Sequence, residues 1–148
     1  APTSSLITFG GTSDSSYQEV NYPGDDYLMY AFANTDMVQV GSYTANNSAT
    51  DNTFVSLPFK PGFLMIKNIN VGSQNWAIWD NERDTYNVMT KVLEPNVSRA
   101  ELNETVNTLV DFYSTGFKPK NSNAQMGGSG KFLYLAIAEE PFKHARGR

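Results

Sequence analysis

The sequence contains no cysteine, which excludes disulfide scaffolds, thiolate metal sites and cysteine nucleophiles, and is equally compatible with reducing and oxidising compartments. It has one histidine, His144, four residues from the end, so His-ligated zinc centres and Ser-His-Asp hydrolysis are not expected. Charged residues are scarce at 18%, against a usual value of about 25%. What charge there is sums to −4, with a pI of about 4.9, which argues against nucleic acid as a partner. No apolar run approaches the roughly 18 residues of a membrane span, so no membrane insertion is expected, and no signal peptide is visible. Residue 1 is Ala rather than Met, as in a processed chain or a piece of a longer one.

What is present points to one packed domain over residues 1–148. Aromatic residues are 13% and hydrophobic residues 40% of the chain, unlike a disordered sequence. The acidity is uneven. Lys143, Arg146 and Arg148 form a basic tail over residues 143–148, read as a solvated terminus.

Strand signals dominate. Residues 26–33, 37–43, 54–57, 62–69, 75–80, 109–113, 117–120 and 131–138 are short aromatic or aliphatic runs separated by Gly, Asn, Ser and Pro. Residues 62–69 and 75–80 read as a hairpin, and so do 109–113 and 117–120. Tyr27–Ala33 and Phe132–Ala138 share the pattern aromatic-Leu-x-x-Ala-apolar-Ala and are expected in one sheet system. The fold class is all-β, an antiparallel β-sandwich with at most one short helix. That helix is expected near residues 98–106, where Ser98 and Glu101 have capping-box spacing and Leu102, Val106, Leu109 and Val110 share a helical face.

Motifs for chemistry are few. Gly127-Gly128-Ser129-Gly130-Lys131 fails as a phosphate-binding loop, because Gln125 and Phe132 stand where Gly and Ser/Thr are required; a glycine-rich hairpin loop before the last strand is expected. Asp80-Asn81-Glu82-Arg83-Asp84 begins like a calcium loop, but Thr85 replaces the required Gly and Lys91 the bidentate Glu. The sequons at Asn46, Asn96 and Asn103 are no more than this Asn-, Ser- and Thr-rich composition gives by chance. No catalytic residue, cofactor site or metal site is assigned.

The stretch 75–80 carries both tryptophans. Alternation puts Trp76, Ile78 and Asp80 on one face and Asn75, Ala77 and Trp79 on the other. Phe63, Met65 and Trp76 are expected in the core. Trp79, with Asn81, Arg83 and Tyr86 in the loop that follows, is the candidate glycan or subunit contact, since sugar rings stack on aromatic rings and loops present binding groups on a rigid scaffold. Asp80 and Arg83 are expected to form a local ion pair.

Four segments, in this order, resemble a domain that recurs in structural proteins of tailed bacteriophages, especially tail fibres and other virion appendages. They are Phe59-Lys60-Pro61-Gly62-Phe63-Leu64-Met65-Ile66-Lys67, the run Asn75-Trp76-Ala77-Ile78-Trp79-Asp80-Asn81-Glu82-Arg83, Gly116-Phe117-Lys118, and Phe132-Leu133-Tyr134-Leu135-Ala136-Ile137-Ala138-Glu139-Glu140-Pro141-Phe142. The resemblance covers roughly residues 27–142. Gly62 stands where such domains often have Ala or Asp, and Ile137 where they usually have Phe. The resemblance implies a jelly-roll or concanavalin-like sandwich, no catalytic activity and no cofactor. The implied role is that of a virion structural protein, made in the host cytoplasm and carried on the particle as a tail fibre or appendage module that meets the host surface. The alternatives are a capsid decoration protein and a lectin-like domain that binds or depolymerises polysaccharide. Implied partners are other virion proteins, copies of itself (a homotrimer, by analogy with phage fibres) and host surface glycan.

Overall fold

A computed structural model of the protein describes residue 7 and residues 24–140. The chain divides into two compact units, Ala1–Ala31 and Phe32–Arg148. The basic tail, Pro141 and Phe142 lie outside the described residues.

Every strand among the described residues belongs to the second unit. They are β1 (Val38–Ala45), β2 (Val55–Ser56), β3 (Pro61–Asn68), β4 (Ala77–Asp80), β5 (Lys91–Val92), β6 (Leu102–Asn103), β7 (Val110–Tyr113), β8 (Gly116–Pro119) and β9 (Gly130–Ala138). All pairings are antiparallel. One sheet has the order β1-β9-β3-β4, a second β2-β8-β7, and β5 pairs with β6. The protein is therefore all-β, and both expected hairpins, β3-β4 and β7-β8, are present.

Alternation along the strands decides what is buried. In β3 the inward residues are Leu64, Ile66 and Asn68, while Phe63, Met65 and Lys67 are half-buried on the other face. In β4 Ala77 and Trp79 point inward, and Ile78 and Asp80 do not. Inward residues of the four-stranded sheet (Tyr43, Leu64, Ile66, Ala77, Trp79, Phe132 and Ala136) join Val55, Val110, Phe112 and Phe117 of the three-stranded sheet in one apolar cluster. At its centre Tyr43 stacks on Phe132 with ring centroids 5.1 Å apart and meets Phe117 edge-on at 5.7 Å. The Tyr43 hydroxyl donates to Met126 O at 2.6 Å, which satisfies a buried polar group. Gly41 lies opposite Tyr134, and a Cβ there would come within 2.7 Å of the phenol oxygen, so a side chain at 41 would require the Tyr134 ring to shift.

The polar composition has an inside as well as an outside. Buried Asn52 donates to the carbonyls of Asn121 and Gly127, both at 2.8 Å. Asn68 accepts from Asn70 N and Val71 N and donates to Ala124 O. These carboxamides satisfy loop backbone that would otherwise be buried without partners. The edge strand β1 is closed in a similar way: Val38 N and Val40 N donate to Thr35 Oγ1 and Asn34 Oδ1, and Thr53 Oγ1 donates to Thr44 O. Side chains there occupy groups that would template another strand.

Four expectations are corrected. Residues 26–33 form no strand, and Leu28 and Tyr30 are 78% and 76% exposed. Their likeness to β9 reports strand propensity, which is decided by context, and β9 already has β1 and β3 on its two edges. No helix forms at 98–106. Glu101 accepts from Arg83 instead of capping a helix, and Leu102 pairs with Val92. The glycine-rich segment before β9 is no hairpin turn, because it connects β8 in one sheet to β9 in the other. Three successive amides, of Met126, Gly127 and Gly128, converge there on Asn123 O. Finally, Phe63, Met65 and Trp76 are half-buried rather than core.

Candidate functional site

The loop from Asn81 to Thr90 joins β4 to β5 and is fixed at several points. The Asp80 carboxylate accepts from Arg83 N at 2.9 Å, a side-chain turn that starts the loop. At its far end Asp84 accepts from Thr90 N, from the Thr90 hydroxyl at 3.0 Å and from Lys91 N at 3.1 Å. Burial pushes the Asp84 carboxyl up, but these bonds and the charge of Lys91 outweigh it and hold the group below the usual carboxylate range. Asn87 bonds the backbone of Phe112 on β7 in both directions, and Met89 pairs with Val110. The loop thus continues the edge of the three-stranded sheet.

This anchoring shapes a cleft of about 140 Å³ lined by Lys60, Asn81, Thr85, Tyr86, Asn87, Met89 and Phe112. Tyr86 stands at its mouth, 81% exposed. Lys60 and Asn81 both bond Glu139, with Lys60 Nζ 2.9 Å from the carboxylate and Asn81 Nδ2 at 2.6 Å. The cleft floor is apolar, its rim carries carboxamides and a phenol, and its lysine charge is balanced by Glu139.

Of the four residues singled out from sequence, the structure brings Asn81 and Tyr86 together in this cleft. It takes Trp79 away: the indole is 0% exposed and its Nε1 donates to Thr108 O at 3.0 Å, so the ring belongs to the core and presents no surface to a ligand. Arg83 is nearby but committed elsewhere. Its guanidinium bonds Asp80, Glu101 at 2.8 Å and Ile78 O at 3.3 Å. Burial opposes its charge, yet the bonds to Glu101 and Asp80 raise its pKa above the ordinary arginine value. The expected Asp80–Arg83 ion pair is present.

Thr85, Asn87 and Met89 lie in the loop that the sequence singled out, whereas Lys60 and Phe112 were missed as cleft walls, because they come from the segment before β3 and from β7, distant from that loop in sequence. Sequence reasoning also misjudged Trp76. That residue lines a second, shallow hollow of about 260 Å³ with Met65, Pro95 and Asn96. A signal for it was available: Lys67 and Asp80 share a face with Phe63, Met65, Ile78 and Trp76, and charged members of an alternating set mark the side that meets water. Among the described residues, no group of three or more His, Asp or Glu side chains is placed to hold a metal ion.

Fold and site together define an all-β protein of antiparallel sheets whose described surface carries a loop-walled cleft and a tryptophan-lined hollow. The chain belongs to the family described as Domain of unknown function (DUF7483), whose model matches residues 1–141. No curated protein and no solved structure matches the chain.

Proposed function

We propose that this chain is a non-enzymatic structural module of a bacteriophage virion, a tail-fibre or appendage domain of jelly-roll or concanavalin-like sandwich type that meets the host surface through its loops. The observation that carries this reading is how the polar residues of the phage-like segments are used. Lys60 from the first and Asn81 from the second both donate to the carboxylate of Glu139 from the fourth, and Glu139 N donates to Lys60 O at 3.0 Å. Arg83 of the second segment bonds Asp80 of the same segment and Glu101 beyond it. These bonds tie the first, second and fourth segments to one another, as the parts of a scaffold are tied. The buried carboxylates fit the same view: Glu94 faces Arg99 at 2.9 Å and Asp111 faces Lys120 at 3.1 Å.

Within this reading the cleft at Asn81 and Tyr86 is a contact for host glycan or for a neighbouring copy. One such site is weak and becomes useful through many copies on a particle, as in a trimeric fibre. Immunogold electron microscopy with antibody raised against the chain tests the assignment. Gold along fibres or appendages is expected. Gold spread over the capsid shell identifies a decoration protein instead, and virions that never label overturn the reading. Release of reducing ends from host polysaccharide would overturn its non-enzymatic part.

A further inference from the structure

The hollow at Trp76 is separate from the Tyr86 cleft in its walls and in its chemistry. Its frame is built by the turn after Leu93, whose backbone pairs with Ile78 next to Trp76. Val97 N closes the turn on Glu94 O at 3.3 Å, with Pro95 at the position where a fixed φ favours turning. That brings Asn96 beneath the indole-bearing residue. Asn96 Oδ1 accepts from Trp76 N at 2.9 Å, and its Nδ2 donates to Asn75 Oδ1 at 2.9 Å. Trp76 is therefore held at its backbone, the Asn75 and Asn96 carboxamides are oriented on one rim, and Met65 and Pro95 complete an apolar floor.

The charges nearest in sequence already have partners within the chain. Glu94 is paired with Arg99 and accepts from Gln125 at 2.9 Å. Lys67 donates to Gln74 O. What remains open is one half-buried aromatic face, two small apolar neighbours, and carboxamide hydrogens: both on Asn75 Nδ2 and one on Asn96 Nδ2. Such a surface matches a ring with an apolar C–H face and hydroxyls at its edge. The residues that line the hollow, Met65, Trp76, Pro95 and Asn96, carry no charge to attract a charged ligand.

From this arrangement we infer that the Trp76–Asn96 hollow is a binding site for a neutral hexose unit of a glycan, with the sugar's C–H face on the indole and its hydroxyls accepting from Asn75 and Asn96. The inference rests on the reading above that the module meets the host surface, and it adds to the Tyr86 cleft a second contact whose ligand chemistry is specified.

Intrinsic fluorescence of the full chain tests it directly. The protein has two tryptophans, and Trp79 is fully enclosed, so a ligand-induced change in emission reports Trp76. Neutral oligosaccharides of glucose, galactose, mannose and N-acetylglucosamine are titrated to high millimolar concentration. At least one is expected to shift the emission saturably, Trp76→Ala to abolish the shift, and Asn75→Ala to weaken affinity about tenfold, as removal of one well-placed hydrogen-bonding group does. Retained blue emission from Trp79 shows that Trp76→Ala remains folded. The inference is overturned if no neutral saccharide moves the emission, if the shift survives in Trp76→Ala, or if Trp76→Ala changes the molar mass in solution, which would make the hollow a contact between protein chains. Virion labelling is independent of all three outcomes. Labelled appendages with no saccharide response would leave the virion role standing and remove only the glycan site.

Discussion

Asn87 and Phe112 bind each other as two strand residues would: Asn87 Nδ2 donates to Phe112 O at 2.8 Å, and Phe112 N donates to Asn87 Oδ1 at 2.9 Å. A side chain thereby replaces a missing strand at the edge of β7 and sets the cleft wall. Asn87→Ala removes both partners and is expected to cost about 1–3 kcal/mol in chemical denaturation. Asn87→Asp should recover part of this, since it restores the acceptor for Phe112 N but not the donor.

The two tryptophans, three residues apart, should behave oppositely. Trp79→Ala empties a site at the centre of the cluster and strands Thr108 O, so a loss of about 3–5 kcal/mol is expected. Trp76→Ala removes a half-buried ring on the outer face, and a loss nearer 1 kcal/mol is expected. Urea midpoints of the two variants at constant slope check the order. Equal losses would mean that Trp76 is covered in solution by something further.

Acid should act in part through Asp84. Its folded carboxyl titrates below the unfolded value of about 3.9. The unfolded state then binds the proton first, so the stabilisation is fully present above that value and is lost as pH falls through the lowered folded pKa. Asp84→Asn is expected to lower stability at neutral pH and to flatten the acid limb of a stability-against-pH curve. An acid limb as steep as that of the wild type would assign the effect to other carboxylates.

At the other end of the pH scale Tyr43 is the group to watch. Burial pushes its phenol well above the ordinary tyrosine value. For a raised acid the sign reverses: the stabilisation is complete below the unfolded pKa of about 10 and disappears as pH rises through the folded one. Tyr43→Phe should cost about 1 kcal/mol at neutral pH by stranding Met126 O, and should reduce the fall in stability above pH 10 measured by denaturant titration.

Much of the architecture was legible because strand periodicity and turn residues are local. The apolar run at 62–69, the Trp strand and the Ser114-Thr115-Gly116 turn all led to observed hairpins. Where contrast between successive residues was missing, the reading failed. Gly62-Phe63-Leu64-Met65-Ile66 is apolar at nearly every position, so nothing within that run says whether Leu64 or Met65 faces inward. The candidate site suffered for the same reason, since choosing Trp79 over Trp76 amounted to choosing a face. Capping-box spacing at Ser98 misled because Glu101 had a better partner in Arg83, eighteen residues earlier.

The amino-acid sequence by itself determined that this is an all-β protein, where most strands and both hairpins lie, and that the chain has no cysteine to cross-link. These follow from composition and from side-chain alternation with a period of two. Only the tertiary structure decided which parity is core, that Trp79 is enclosed and Trp76 presented, that Arg83 is consumed by Asp80 and Glu101, and that Lys60, Asn81 and Glu139 meet. Those outcomes depend on which strands become neighbours. That choice is made by burial and hydrogen bonding summed over segments as distant in sequence as Val38 of β1 and Ile137 of β9, and no local window of sequence contains it.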